Sequence, residues 1–477
     1  MNVLHARAAL LDDGWTPDVA VVIGSDGMIE RVEAPALTPA TERAAGPVVP
    51  AMPNLHSHAF QRAIAGRTGF PSPDRDDTFW TWRQAMYGAV DTLDADAFEA
   101  IAAQAYVEMA KAGYASVAEF HYVHHDPRGR PYADPAELAW RIVSAAGVAG
   151  IGLTLLPVFY AHGNFGGLPP APLQRRFIHD PSTFGVLLDV LAERARADRF
   201  ALGVAPHSLR AVTPDELAAI VEAAPAGAPI HIHAAEQTKE VVDCLAWSGM
   251  RPVEWLLAHV GIDARWCLVH ATHMDDREVT ALAATGAVAG LEPSTEADLG
   301  DGIFEAESYL RAGGRFGIGT DSNTLIDPFA EVRQLEWSQR LRARRRNVLV
   351  DDTRVPVGQR LWRAAARGGA QAVGQPVGRI AAGMRADLIV LDSEDPALAD
   401  QPVDHVLDAA IFGPCRRPVR DLMSAGQWIV REGRHAHESD VYRRFRAAIA
   451  RIDASGGAAR ARAGARPASI ARAGDPQ

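Results

Sequence analysis

Cysteine is scarce in this 477-residue chain: Cys244, Cys267 and Cys415 are the only three. Their odd number, with no CxxC pair, excludes a disulfide framework and fits a reducing cytoplasm. Lysine is scarcer still, with Lys111 and Lys239 alone, so arginine carries nearly all of the basic charge. Long apolar runs are also lacking. No charge-free stretch reaches the ~18 residues that a membrane-spanning helix needs. Residues 1–30 have no basic start followed by an apolar run and a small-residue cleavage site, so no secretory signal is expected. Positive charge is not in excess: 48 Lys and Arg stand against 59 Asp and Glu, a net charge of −11. That balance disfavours nucleic acid and anionic membranes as partners. It leaves an acidic substrate open, because local arginines can reverse the field inside a pocket. The remaining composition, 48% hydrophobic and 22% charged, is that of a globular protein with ample material for a core.

The order of the segments points to one large unit and one small one. Residues 19–23 and 28–32 read as strands joined through an Asp-Gly turn at Asp26-Gly27, a hairpin signal. Residues 386–391 and 426–430 have the same strand texture. Neither end alone has enough strands to bury a face, so 1–47 and 375–435 are expected to pair into one small β-sandwich domain. Between them, apolar runs of strand length recur eight times, near 48–55, 114–120, 151–158, 201–205, 229–232, 266–269, 286–291 and 315–319. Helical stretches separate most of them; in the clearest, 92–112, Thr92 or Asp94 caps the start and Gly113 ends it. Eight such alternations read as α/β architecture, a (β/α)8 TIM barrel over residues 48–374, rather than a doubly wound open sheet. Residues 436–454 read as a C-terminal helix. Residues 455–477, rich in Ala, Arg and Gly without apolar periodicity, read as a disordered tail.

The strand runs end in polar residues. The first ends in His56-Ser57-His58, the second at Glu119, His121 and Tyr122, and the fourth at His207. The fifth gives His231, His233 and Glu236, the sixth His270 and the eighth Asp321. In a TIM barrel the C-terminal strand ends converge on one face, so residues far apart in sequence meet there. Residues two apart on a strand point the same way, so His56 and His58 can grip one divalent cation. His233 offers a third nitrogen and Asp321 a carboxylate oxygen. This His3Asp set suits Zn²⁺, with Fe²⁺ as the alternative, and leaves room for a water. His231 shares a face with His233, and spacing alone does not separate them; His233 is preferred as nearer the strand end and Glu236. Glu236 stands where a proton shuttle would reach both a bound water and a substrate nitrogen. His270 reads as a group that polarises the attacking water. The bland readings are a helix-start glutamate and a structural histidine. Glu236, His270 and Asp321 are thus the candidate catalytic residues.

This constellation resembles the amidohydrolase superfamily, and GRIAAGMRADLIVL at 378–391 resembles that superfamily's returning β-sandwich segment. The HxxE element, His233 to Glu236, resembles its mononuclear deaminase branch. The binuclear branch uses a carbamylated lysine on the fourth strand, and 201–207 holds none, so the resemblance implies one metal ion. Longer strings resemble the formimidoylglutamate deiminase family: PNLHSHAFQR at 53–62, FWTWR at 79–83, AEFHYVHH at 118–125, HSLRAV at 207–212, HIHAAEQ at 231–237 and STEADLGDG at 294–302. That resemblance covers roughly residues 1–435. It implies hydrolysis of N-formimino-L-glutamate to N-formyl-L-glutamate and ammonia, a step of histidine degradation, usually with zinc. It also implies that Gln61, Arg83, Tyr122, His207 and Arg210 hold the glutamate part. Two carboxylates favour bidentate arginine, which agrees with Arg83 and Arg210. The chain departs from the family pattern at Asn323, where the pattern has histidine; Asp321 is retained, so the metal site is expected to stand, and the surroundings of the ligands or a substrate contact stand to change. Two other readings compete: a related deaminase acting on a purine- or pterin-like heterocycle, which would need stacking aromatics and amides, and a non-catalytic barrel, which would be expected to lose ligands or Glu236. A cytoplasmic homodimer with a small acidic substrate, binding neither nucleic acid nor membrane, is the expected state.

Overall fold

The computed structural model describes residues 2–69, 77–198, 200–351 and 353–454. The reading of 455–477 as a tail falls outside them. The eight barrel strands are β1 (Met52–Ser57), β2 (Tyr114–His121), β3 (Gly152–Phe159), β4 (Ala201–Leu202 and Ala205–Pro206), β5 (Ile230–Ala234), β6 (Trp266–His270), β7 (Val288–Leu291) and β8 (Arg315–Ile318). All neighbours pair parallel. Single bridges, Val204 to Ile230 and Ser57 to Asp321, join β4 to β5 and β8 to β1, so the sheet closes on itself. β2 is buried along its whole length, as a parallel strand covered on both faces must be.

Helix α1 (Phe79–Val90) follows β1, and α2 (Ala95–Ala112) leads into β2. In α2 the Asp94 carboxylate accepts the Ala97 N–H, and Gly113 closes the helix at φ 113°. Asp94, not Thr92, is therefore the cap. Helix α3 (Val357–Val373) plugs the floor of the barrel. His231 Nε2 lies 2.9 Å from the Ala372 carbonyl and Thr154 Oγ1 donates to the Val373 carbonyl. Gln371 Nε2 donates to the carbonyls of Ala264 and Gly286, just ahead of β6 and β7. The contact is so close that a Cβ on Gly368 would sit 1.9 Å from the Phe316 carbonyl oxygen. Only glycine fits there.

The two chain ends form one continuous nine-stranded sheet. Its order is 434–435, 427–431, 419–424, 388–391, 48–50, 2–11, 14–23 and 29–33, with 42–43 beside 2–11. The sheet curls over, and Leu4, Val21, Ile29, Leu388 and Met423 share one core from both ends. The Trp428 indole N–H donates to Glu42 across it. Three expectations need correction. The apolar run 48–55 is two strands: Val48–Pro50 belongs to the terminal sheet, and the barrel begins at Met52. The backbone changes partner at that point, Ala51 N donating to Asp387 and Met52 N to Gly113. The fourth run is broken, because Gly203 N turns to Leu155 and Val204 N to Pro229. Residues 375–435 also carry a helix, Val406–Phe412. The C-terminal helix runs over Glu438–Ala454.

Candidate active site

β1 places His56 and His58 at its end, and β5 places His233 across the barrel. His58 and His233 each spend Nδ1 on a backbone carbonyl, of Phe120 at 3.0 Å and of His207 at 3.1 Å. Nε2 is left free in both. Asp321 Oδ1 lies 3.3 Å from His56 Nε2 and 3.2 Å from His58 Nε2. Donor atoms of His56, His58, His233 and Asp321 all fall within 4.8 Å of one another. His56 is fully buried, and apart from the Asp321 contact neither ring nitrogen has a hydrogen-bond partner among the described residues. Burial keeps the imidazoles neutral: it lowers His56 to about 3 and pulls His58 and His233 down as well. Burial works against the Asp321 carboxylate, but the surrounding imidazoles outweigh it and hold it ionised. Three neutral nitrogens with one carboxylate, buried and mostly unpartnered, fit a divalent cation.

His231 lies elsewhere, bonded to the floor helix. Glu119 and His121 point away from these donors. Glu119 accepts the Ala59 N–H and the Tyr106 hydroxyl, and burial raises it to about 8. Lys111 pairs with Glu438 and Lys239 with Asp243, and neither is among the donors grouped at the site.

Glu236 follows the end of β5. Burial raises its carboxyl above the usual range, against the pull of His270 and Arg210. Its Oε1 is 3.6 Å from His270 Nε2, which is 4.0 Å from Asp321 Oδ2. Burial disfavours a charged His270, yet Glu236, Glu296, Glu292 and Asp321 outweigh it and hold the ring protonated. His270 at φ 66°, Asp321 at 41°, Asn323 at 55° and Ala235 at 51° are all in the left-handed region. The rim of the barrel is strained where these groups converge.

A cavity of about 40 Å³ opens beside them, lined by His58, His233, Glu236 and Asp321 together with Gln61, Arg83, Tyr122, His207 and Arg210. α1 forms one wall with Phe79, Trp82 and Arg83. A larger groove of about 860 Å³, between α2 and the C-terminal helix, lacks the four donors. Gln61 donates to the Tyr122 hydroxyl. Arg83 donates to Tyr87 and Tyr160 and lies against the Trp80 ring. Among the described residues no carboxylate pairs with Arg83. Arg210 differs: it lies 3.4 Å from Glu236 and 3.7 Å from Glu240. Asn323 does not line this cavity. Its amide donates to Ser57 Oγ and to the carbonyls of His58 and Asp321, while Thr320 donates to its oxygen. It ties two of the donor-bearing segments together.

The sequence reading did not single out Glu292. It stands directly after β7, with Oε2 3.2 Å from His270 Nδ1; Glu296 Oε1 is 3.5 Å from the same nitrogen. The rule that polar residues at strand ends face the site would have found Glu292, had the seventh strand been read like the others.

Comparison with known proteins agrees with this geometry. The family model "Amidohydrolase family" matches residues 48–429, and the chain belongs to that family. A second model, "Formimidoylglutamate deiminase HutF, N-terminal domain", matches residues 1–46. The formimidoylglutamate deiminase of Pseudomonas aeruginosa is 52% identical over 445 residues, 93% of this chain and 98% of that enzyme. It is to this branch of the family that the chain belongs. The crystal structure of an amidohydrolase from Brucella melitensis superposes with a TM-score of 0.89 at 48% identity, covering 95% of this chain and all of that one. An adenosine deaminase from Xanthomonas campestris, solved with bound zinc, shares the fold at 22% identity, with a TM-score of 0.77 over 95% of this chain and 98% of that one.

Proposed function

We propose that this chain hydrolyses N-formimino-L-glutamate to N-formyl-L-glutamate and ammonia, as in histidine degradation. The observation that carries the reading is Arg83: a guanidinium at the cavity wall, held by tyrosines and a tryptophan face, with no carboxylate partner among the described residues. An acidic substrate supplies one. Stacked between such partners a guanidinium keeps its fork oriented for bidentate pairing. A heterocycle would gain little from it.

His56, His58, His233 and Asp321 are the ligands of one divalent cation, taken as Zn²⁺. When bound, such a cation supplies the Lewis acidity that makes water a nucleophile at neutral pH. Glu236 takes the proton of the attacking water and delivers it to the departing nitrogen, a role its raised carboxyl suits. His270, held as imidazolium, donates from Nε2 to the oxygen growing at the former formimino carbon. Arg83, Arg210, Gln61, Tyr122 and His207 hold the two carboxylates. The three cysteines are free, which supports a reducing cytoplasm; a homodimer is the proposed working state. Among the described residues no helix is long and apolar enough to cross a membrane.

The test is ammonia release from a panel of formimino-amino acids by the metal-loaded enzyme. Formimino-glutamate should be the preferred substrate, chelation should abolish turnover, and metal analysis should return about one equivalent per chain. Preference for a substrate without carboxylates would overturn the reading; two tightly held equivalents would overturn the single-metal assignment.

A further inference from the structure

Glu292 is fully buried, and neither carboxylate oxygen has a hydrogen-bond partner among the described residues. Burying an acid that way is costly unless a polar group lies opposite it. The group opposite it is the His270 ring. One side of that ring faces two carboxylates: Nδ1 is 3.2 Å from Glu292 Oε2 and 3.5 Å from Glu296 Oε1. The other side faces the reaction: Nε2 is 3.6 Å from Glu236 Oε1 and 4.0 Å from Asp321 Oδ2. The two acids are not equivalent. Glu296 is already engaged, its Oε1 accepting the Glu292 backbone N–H at 3.2 Å, whereas among the described residues the Glu292 carboxylate has no polar contact but His270.

We propose that Glu292 is the positioning residue of His270, occupying the Nδ1 side of the ring and so holding Nε2 toward the substrate oxygen. The logic is that of a carboxylate that fixes the orientation and proton placement of a working imidazole without touching substrate. The inference rests on the reading of His270 given above. Its rival is a second cation site, since His270, Glu292 and Glu296 also lie within 4.8 Å of one another.

The experiment uses the full-length, metal-loaded enzyme and Glu292→Gln, which keeps the shape and removes the acid. The expected result is kcat lowered about tenfold to a hundredfold, with KM little changed and with metal content and Tm equal to wild type. Wild-type kcat would overturn the proposal. So would activity lost together with Tm, which marks a structural role, or loss of an equivalent of metal that wild type holds, which marks a ligand. Should Glu292→Gln fail to fold, Glu292→Asp answers instead: the shorter acid should lower kcat about tenfold at unchanged metal content, and wild-type kcat would again refute it. His270→Asn separates the two layers. If it turns over like wild type, the reading of His270 itself fails; if it is slow while Glu292→Gln is not, only the role of Glu292 falls.

Discussion

The two ends of the barrel are built on opposite terms. At the floor, helix α3 and the barrel are tied by direct bonds: His231 Nε2 with Ala372, Thr154 with Val373, Gln371 with two carbonyls, and Trp362 Nε1 with the Pro50 carbonyl, although His231 Nδ1 has no partner among the described residues. The backbones there approach as closely as glycine allows. At the rim, His56, His270 and Glu292 are buried with no regular hydrogen bond to their side chains among the described residues, and Asp321, His270 and Asn323 stand in left-handed conformations. The floor is a place where most of the named contacts are closed within the protein. The rim keeps its interactions open for something that binds, and its strain is carried by the rest of the fold.

The sharpest way to break that contrast is at Glu236. Glu236→Gln should lower kcat by about 10²–10⁴-fold, roughly 3–5 kcal/mol, while metal content and Tm stay at wild-type values. A loss of metal would make Glu236 a ligand instead. The next effect separates the two arginines. Arg83→Ala should lose about 1.5–3 kcal/mol in kcat/KM for formimino-glutamate, with little loss for a formimino compound lacking carboxylates. Arg210→Ala should act on kcat as well, because Arg210 faces Glu236; equal kcat in the two variants would remove that distinction. At the floor the expectation inverts. Gly368→Ala should cost about 1–3 kcal/mol of stability, read by denaturant unfolding, and leave kcat per folded molecule unchanged. A catalytic defect there would mean that floor and rim are coupled.

The last expectation concerns pH. Glu331 is buried, accepts the Ser294 N–H, and has its carboxyl raised to about 8 by burial, with Glu296 and Asp327 adding to the rise. The folded state therefore holds its proton more tightly than the unfolded chain, whose value is near 4.5. Stability from this group is full below pH 4.5 and is lost as pH rises to about 8. The slope over that window is at most about 1.4 kcal/mol per pH unit. Glu331→Gln should flatten it, measured as Tm between pH 5 and 8; an unchanged profile would show that Glu331 does not titrate there.

Much of this was legible in the sequence, for a physical reason. Strand periodicity is strict, so His56 and His58 had to share a face, and the end of a barrel strand had to point at the rim. Pairings across the sheet were not legible. Nothing in the spacing says that Arg210 meets Glu236 and Glu240, or that Asn323 reaches back to Ser57 and His58. The choice between His231 and His233 turned on depth along one strand, which periodicity cannot give but the carbonyl of Ala372 does. The run 48–55 misled because apolar content is continuous while hydrogen-bond partners are not: the chain passes from one sheet to another at Ala51 with no change in hydrophobicity.

The joint sheet has a consequence for synthesis. Val48–Pro50 pairs with Leu388–Val390, so the N-terminal strands wait for partners some 340 residues away. At about 5–20 residues per second on the ribosome, that is on the order of 20–70 s with a strand edge exposed. The small domain is begun before the barrel is made and finished after it. A nascent chain stalled inside the barrel would carry an unpaired, apolar edge, the kind of surface that chaperones bind and aggregates grow from.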